Sequence, residues 1–246
     1  MTVLGSNFGS TWTSRGTLCR FFGGAAKVVG AVALLAVARA AAEAPATGAD
    51  VAAGRSIAIH GVAPGRAACA ACHMPDGAGQ AEVGIPRLAG LSDAYILDQL
   101  TFFAKGTRTN PAMQPFAKML TPEQRRQVAG YFGNLPVPAQ SDLTLQPEPA
   151  LKRGERLFLD GNFQTGLLAC ASCHGPGGQG VGNFAPRLAG QSAAYIAEQL
   201  DAWKAGGRRD PHGAFMRAEA SHLSARDIAA VAVFLESLKD AKEAQR

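Results

Sequence analysis

Two five-residue segments could do chemistry: Cys69-Ala70-Ala71-Cys72-His73 and Cys170-Ala171-Ser172-Cys173-His174. In Cys-x-x-Cys-His the two thiols add to the vinyl groups of a porphyrin and the adjacent imidazole ligates its iron. Five residues thus tether and coordinate a c-type haem. Two other readings explain less. A zinc ribbon separates its cysteine pairs by about 15 to 20 residues, far less than the gap between Cys72 and Cys170, and a thiolate zinc site needs no His after each pair. A thioredoxin-like dithiol requires a βαβ setting that this sequence lacks.

A haem held by one imidazole has a second axial position, and what fills it separates electron transfer from ligand chemistry. The chain has five Met. Met1 is removed with the leader described below, Met74 adjoins the proximal His73, and Met119 has His222 as its counterpart. Met113 and Met216 remain, 44 and 46 residues beyond the first Cys of their motifs. A buried Met is ordinarily core filler, but the matched register makes these two the expected axial ligands. His60, His212 and His222 compete, yet none has a histidine partner in the other copy.

The motifs sit in an internal repeat. At a shift of 100 residues Gly54 meets Gly154, Pro86-Arg87-Leu88-Ala89-Gly90 meets Pro186-Arg187-Leu188-Ala189-Gly190, Tyr95-Ile96 meets Tyr195-Ile196, and Gln99-Leu100 meets Gln199-Leu200. At 101 the two Cys motifs coincide, and at 103 Met113 falls on Met216. The mature chain therefore reads as a tandem duplication, with a domain over 43–137, a proline-rich linker over 138–150 and a second domain over 151–246. Each copy reads as helical. Ile96, Leu100 and Phe103, or Ile196, Leu200 and Trp203, share one helical face. Thr121-Pro122-Glu123-Gln124 and Ser224-Ala225-Arg226-Asp227 start a last helix with a capping-box spacing. A first helix is expected to begin near Gly54 and Gly154, and the two methionines to lie in a loop before the last helix. No run of alternating strand pattern occurs. A domain of this size with Gly-rich loops buries little apolar side chain, and a haem supplies the missing interior.

The first 42 residues have the form of a secretory leader: Arg15, Arg20 and Lys27 precede the apolar run 28–38, followed by small residues suited to cleavage after Ala40 or Ala42. The alternative is retention as an anchor, which would give peripheral membrane association. Cleavage removes the odd Cys19 and places the other four in an oxidising compartment, the periplasm. It also removes four basic residues and no acidic ones, so nearly all of the formal +5 belongs to the leader. A nucleic-acid-binding protein would need a concentrated basic stripe, which is missing.

Cys-x-x-Cys-His, Pro-Arg-Leu-Ala-Gly, Tyr-Ile-x-x-Gln-Leu and the late Met, each present twice over about residues 52–240, resemble the di-haem cytochrome c4 family of class I cytochromes c. That resemblance implies an all-α fold of two tandem class I cytochrome c domains. Each would wrap one covalent haem c, with the propionate edges facing each other. It implies that Pro86 and Pro186 give their carbonyls to the rings of His73 and His174, fixing ring orientation and basicity. Arg87 and Arg187 become propionate partners. The Gly54 and Gly154 helices would pack on Tyr131 and Phe234. The loop Asn110-Pro111-Ala112-Met113 departs from the pattern, being three residues shorter than Asp210–Met216, a difference that can make the two potentials unequal.

The expected function is that of a periplasmic electron carrier, not an enzyme. By resemblance it would take electrons from a quinol to cytochrome c reductase and deliver them to a haem-copper terminal oxidase. The alternative is the cytochrome subunit of a larger flavoprotein dehydrogenase, such as a flavocytochrome that oxidises sulfide. A di-haem peroxidase would need a vacant or His-switched distal side, against which the two matched methionines argue. The sequence leaves the oligomeric state open.

Overall fold

The computed structural model describes residues 48–62, 68–138 and 147–239; the leader and part of the linker lie outside them. Among the described residues the N-terminal half has five α-helices: α1 (Gly48–His60), α2 (Ala70–His73), α3 (Asp93–Lys105), α4 (Met113–Met119) and α5 (Pro122–Gly133). The same order recurs as α6 (Glu148–Leu159), α7 (Ala171–His174), α8 (Ala193–Lys204), α9 (Ala214–Ser221) and α10 (Ala225–Ser237). Among the described residues β pairing is confined to isolated bridges.

The helix starts follow from local chemistry. The Oγ atoms of Ser92 and Ser192 accept the N–H groups of Tyr95 and Tyr195 at the heads of α3 and α8, satisfying donors that a first helical turn leaves open. Both last helices have reciprocal capping boxes, Thr121 with Gln124 and Ser224 with Asp227. Two separate apolar cores result. One joins Ile96, Leu100 and Phe103 of α3 to Val128, Tyr131 and Phe132 of α5. The other joins Ile196 and Leu200 of α8 to Ile228, Val231 and Leu235 of α10.

Two expectations need correction. The first helices begin at Gly48 and Glu148, not near Gly54 and Gly154, so α6 takes in the last residues of the stretch read as linker. Pro149 stands in the first turn of α6, where its missing N–H costs nothing. The two glycines instead mark where one helix crosses another. A Cβ on Gly54 would stand 1.9 Å from the Gln127 carbonyl oxygen of α5, and one on Gly154 would stand 2.2 Å from that of Ala230 in α10. The next nearest atoms include the Cβ of Tyr131 and that of Phe234, respectively. The methionines are also not in a loop: Met113 opens α4 and Met216 lies in the first turn of α9. Asn110 accounts for the first, since its Oδ1 accepts the N–H groups of Ala112 and Met113 at 3.0 and 2.9 Å and turns the chain into the helix.

Candidate haem sites and the seam between them

Each Cys-x-x-Cys-His motif forms a single helical turn in which the His N–H bonds the carbonyl of the first Cys at 2.9 Å. Residues three and four apart share a helical face, so both thiols and the imidazole of a motif turn the same way. Cys72 and Cys173 are exposed and Cys69 and Cys170 half-buried, all four as free thiols. Burial pushes the Cys170 thiol up to about 11 and moves Cys69 in the same direction. Among the described residues no group of three His, Cys, Asp or Glu side chains is placed to hold a metal ion.

His73 and His174 are buried. Nδ1 of His73 lies 3.0 Å from the Pro86 carbonyl oxygen, and that of His174 lies 2.8 Å from that of Pro186. A carbonyl only accepts, so Nδ1–H is the donor and Nε2 keeps its lone pair for a metal. Burial holds both imidazoles below their ordinary value, outweighing the proline carbonyl that favours the protonated ring. A lowered value favours the neutral ring, the form able to bind a metal ion.

A cavity of about 320 Å³ opens in the N-terminal half, walled by Cys69, Cys72, His73 and Pro86, and also by Met113, Leu100 and Phe132. It falls in the range of roughly 300 to 1,000 Å³ typical of cofactor pockets. The two cysteines, His73 and Met113 thus border one space, although Met113 stands 40 residues beyond His73 in sequence. In the C-terminal half Cys170 and Met216 pack on the same apolar core. Three buried polar atoms of this half, Trp203 Nε1, Arg208 Nε and Asp210 Oδ2, have no hydrogen-bond partner, the last two standing 3.6 Å apart as an ion pair.

Arg87 does not border the cavity. It is a seam residue, whose Nη2 donates to the Ala189 carbonyl at 2.7 Å while its own N–H and C=O bond the Gln191 amide at 2.9 Å each. Arg187 passes within 3.4 Å of a Cβ built on Gly90, across the same seam. The guanidiniums that meet at the centre belong to Arg108 and Arg208, which sequence reasoning overlooked. Arg108 donates to Gln99 (2.7 Å), Gln199 (2.6 Å) and the Tyr195 hydroxyl (2.8 Å). Arg208 donates to Gln199 (3.2 Å) and Gln99 (2.9 Å). Each also covers an aromatic ring, Phe103 at 4.4 Å and Trp203 at 3.9 Å, a favourable placement for a cation. Burial and the charge of Arg108 both lower the pKa of Arg208. Arg108 is held above the ordinary value: burial opposes its charge, but Tyr195 and Tyr95 outweigh it. The signal for this pair was in the repeat, because Arg108 and Arg208 also stand 100 residues apart.

The comparisons agree with this geometry. Residues 151–239 match the family model for cytochrome c, and residues 60–132 match that for cytochrome c oxidase, cbb3-type, subunit III. Reduced recombinant cytochrome c4 from Pseudomonas stutzeri aligns with a TM-score of 0.64 and 30% identity over 76% of this chain and 97% of its own. The chain belongs to the di-haem cytochrome c4 family. Like its relatives, this cytochrome c4 homologue is an electron-transfer protein and not itself an enzyme, with two covalently bound haem c groups in two tandem class I domains. A relative from Thiomonas intermedia (strain K12), a thiosulfate dehydrogenase electron acceptor, is 43% identical over 173 residues, covering 70% of this chain and 79% of the relative. The as-isolated thiosulfate dehydrogenase (TsdBA) from Marichromatium purpuratum aligns with a TM-score of 0.67 and 39% identity over 76% of this chain. This cytochrome spans 40% of that longer chain.

Proposed function

We propose that this cytochrome is the periplasmic electron acceptor of a thiosulfate-oxidising dehydrogenase and relays electrons towards a terminal oxidase. The observation that supports the electron-transfer part is the N-terminal cavity bordered by two thiols, a carbonyl-anchored imidazole and a methionine. The partner is supported by the relative named as an acceptor for thiosulfate dehydrogenase. When bound, each haem supplies a one-electron ferric/ferrous couple, so the protein accepts two electrons.

In this reading Cys69 and Cys72 tether one haem and Cys170 and Cys173 the other. His73 and Met113, and His174 and Met216, are the axial pairs. Pro86 and Pro186 hold the imidazoles against rotation, and Met sulfur raises the reduction potential. Arg108 and Arg208 join Arg87 and Arg187 as candidate partners of the propionates. One haem domain lies on each side of the proline-rich stretch, and the leader over residues 1–42 directs export.

The test is reduction of the purified ferric protein by thiosulfate in the presence of thiosulfate dehydrogenase, followed at the haem bands, with quinol and a quinol to cytochrome c reductase as the comparison. Rapid reduction by the dehydrogenase of two electron equivalents per chain is expected. Reduction only by the quinol system would make it a general respiratory carrier instead. Met113→Ala and Met216→Ala should each remove the sulfur-to-iron charge-transfer band of one haem and lower its potential; retention of both bands would overturn the axial assignment.

A further inference from the structure

The peptide unit that joins Pro86 to Arg87 is hydrogen-bonded on both sides. Its carbonyl oxygen accepts His73 Nδ1–H at 3.0 Å within the N-terminal half, and its N–H donates to Gln191 Oε1 at 2.9 Å in the C-terminal half. The described residues contain no cis peptide bond, and the C=O and N–H of a planar trans peptide point in opposite directions. One amide plane therefore stands between the imidazole and the glutamine. Gln191 Nε2 returns a bond to the following carbonyl, that of Arg87, at 2.9 Å, and its Oε1 also accepts the Ser192 N–H at 3.1 Å. The flanking peptides are held by the N-terminal half itself. Ile85 exchanges backbone bonds with Gln80 at 2.9 and 3.0 Å, and the Leu88 N–H donates to the Gly77 carbonyl at 2.8 Å. Gln191 is 2% exposed, which leaves little room for water to compete. The reverse link cannot form from residue 91, which is Leu, a side chain with no hydrogen-bonding atom.

An N–H that donates a hydrogen bond polarises its amide and makes the carbonyl of the same unit a stronger acceptor, by roughly 10–30% per bond. A carbonyl that holds the second ring nitrogen of a metal-binding imidazole in turn fixes the ring and raises its basicity. We propose that Gln191 is a positioning residue for His73, acting across the seam through the Pro86–Arg87 peptide. The C-terminal half thereby supplies an outer support for the axial histidine of the N-terminal half, and closure of the seam is felt at that ring. This inference rests on the two-haem reading above and deepens it, since it assigns a role at the His73 site to a residue of the other half.

The test is NMR of the reduced holoprotein carrying nitrogen-15 histidine, after its optical spectrum has established two low-spin haems. It follows solvent exchange of the Nδ1–H protons of His73 and His174. Gln191→Met keeps the length of the side chain and removes the amide oxygen, and should speed exchange at His73 by about tenfold, the worth of one hydrogen bond. Exchange at His174, whose partner Pro186 lies in its own half, should stay within about twofold. Gln191→Glu keeps an oxygen for the Arg87 N–H and should leave both rings near wild type. Equal acceleration at both rings, no acceleration at His73, or a Gln191→Glu protein as fast as Gln191→Met would overturn the assignment, because a residue that merely packs the seam gives one of these results. If Gln191→Met folds poorly, the wild-type protein still decides: its Arg87 amide proton should be protected from exchange, and an Arg87 amide as fast as an exposed loop amide would overturn the inference. A colourless wild-type protein would remove the two-haem reading and this inference together, whereas a coloured protein with an unprotected Arg87 amide would remove this inference alone.

Discussion

Gly84 and Phe184 occupy matching places in the two halves, as do Ala112 and Phe215, yet the two aromatics of the C-terminal half each stand 72% exposed. Inside the halves the matching is close. Gly54 and Gly154 each let one helix cross another, His73 and His174 each bond a proline carbonyl, and Ser92 and Ser192 each cap the helix that follows. Both halves must close around the same planar group, and a buried crossing tolerates no extra atom, so these positions stayed paired. Nothing comparable constrains a position facing solvent, whether in a turn as at Phe184 or on a helix as at Phe215, and there the copies diverged.

The shared interior is most severely tested at the helix crossings. Gly54→Ala and Gly154→Ala each drive a methyl group into a backbone carbonyl that cannot rotate away. Each should destabilise its own half by about 3 kcal/mol, the upper part of the usual range for overpacking. Gly48→Ala in the same α1 is the control, since a Cβ there meets nothing within 4 Å, and it should be neutral or slightly stabilising. Thermal unfolding followed at the haem band would show this, and a Gly154→Ala protein as stable as wild type would mean that α6 and α10 do not cross so closely.

A smaller difference lies at the heads of the last helices. Gln124 closes the capping box of α5 and does not titrate, whereas Asp227 closes that of α10 and also accepts Arg153 Nε at 2.8 Å. Burial pushes the Asp227 pKa up, but Ser224 and Arg153 outweigh it and hold the carboxyl below its usual range. A group depressed in the folded state contributes stability above its unfolded value, about 3.9 for Asp. That contribution is lost as pH falls through the folded value. The C-terminal half should therefore be the more acid-sensitive. Asp227→Asn should cost about 1 kcal/mol at neutral pH, the usual worth of a cap, and flatten the acid limb of a stability-against-pH curve. Gln124→Glu should give the N-terminal half an acid limb of its own. Parallel acid limbs in wild type and Asp227→Asn would show that other carboxylates control the loss.

Much of this arrangement could be read in the sequence because it is local or repeated. A five-residue motif fixes its own geometry within one helical turn, and capping boxes are written in four residues. Pairing of Met113 with Met216 came from register alone. The central arginines were missed because a buried cation looks in sequence like any loop arginine, and only the fold shows Arg108 facing Arg208 with Gln99 and Gln199 between them. Pro86 borders the pocket, while the side chain of the adjacent Arg87 reaches across the seam to the Ala189 carbonyl. The first helices begin six residues before Gly54 and Gly154, because in both copies the glycine relieves a mid-helix contact. That contact is made with a helix far away in sequence, so no local pattern reveals it.

The least costly difference between the halves follows directly after each proximal histidine. Gly175 has φ 80° and ψ 152°, and its counterpart Met74 adopts φ 64° and ψ 153°, a region that suits glycine and costs other residues about 1–3 kcal/mol. Met74 is the sole non-glycine residue with positive φ among the described residues. Its side chain is 40% exposed, so little packing offsets the strain. Met74→Gly should therefore stabilise the N-terminal half by about 1 kcal/mol once the greater freedom of glycine in the unfolded chain is subtracted. A rise in the denaturant midpoint at unchanged slope would show it, with the haem absorption spectrum unaltered. An unchanged or lower midpoint would mean that the turn after His73 relaxes when the haem is attached, and the two halves would then be alike at this position too.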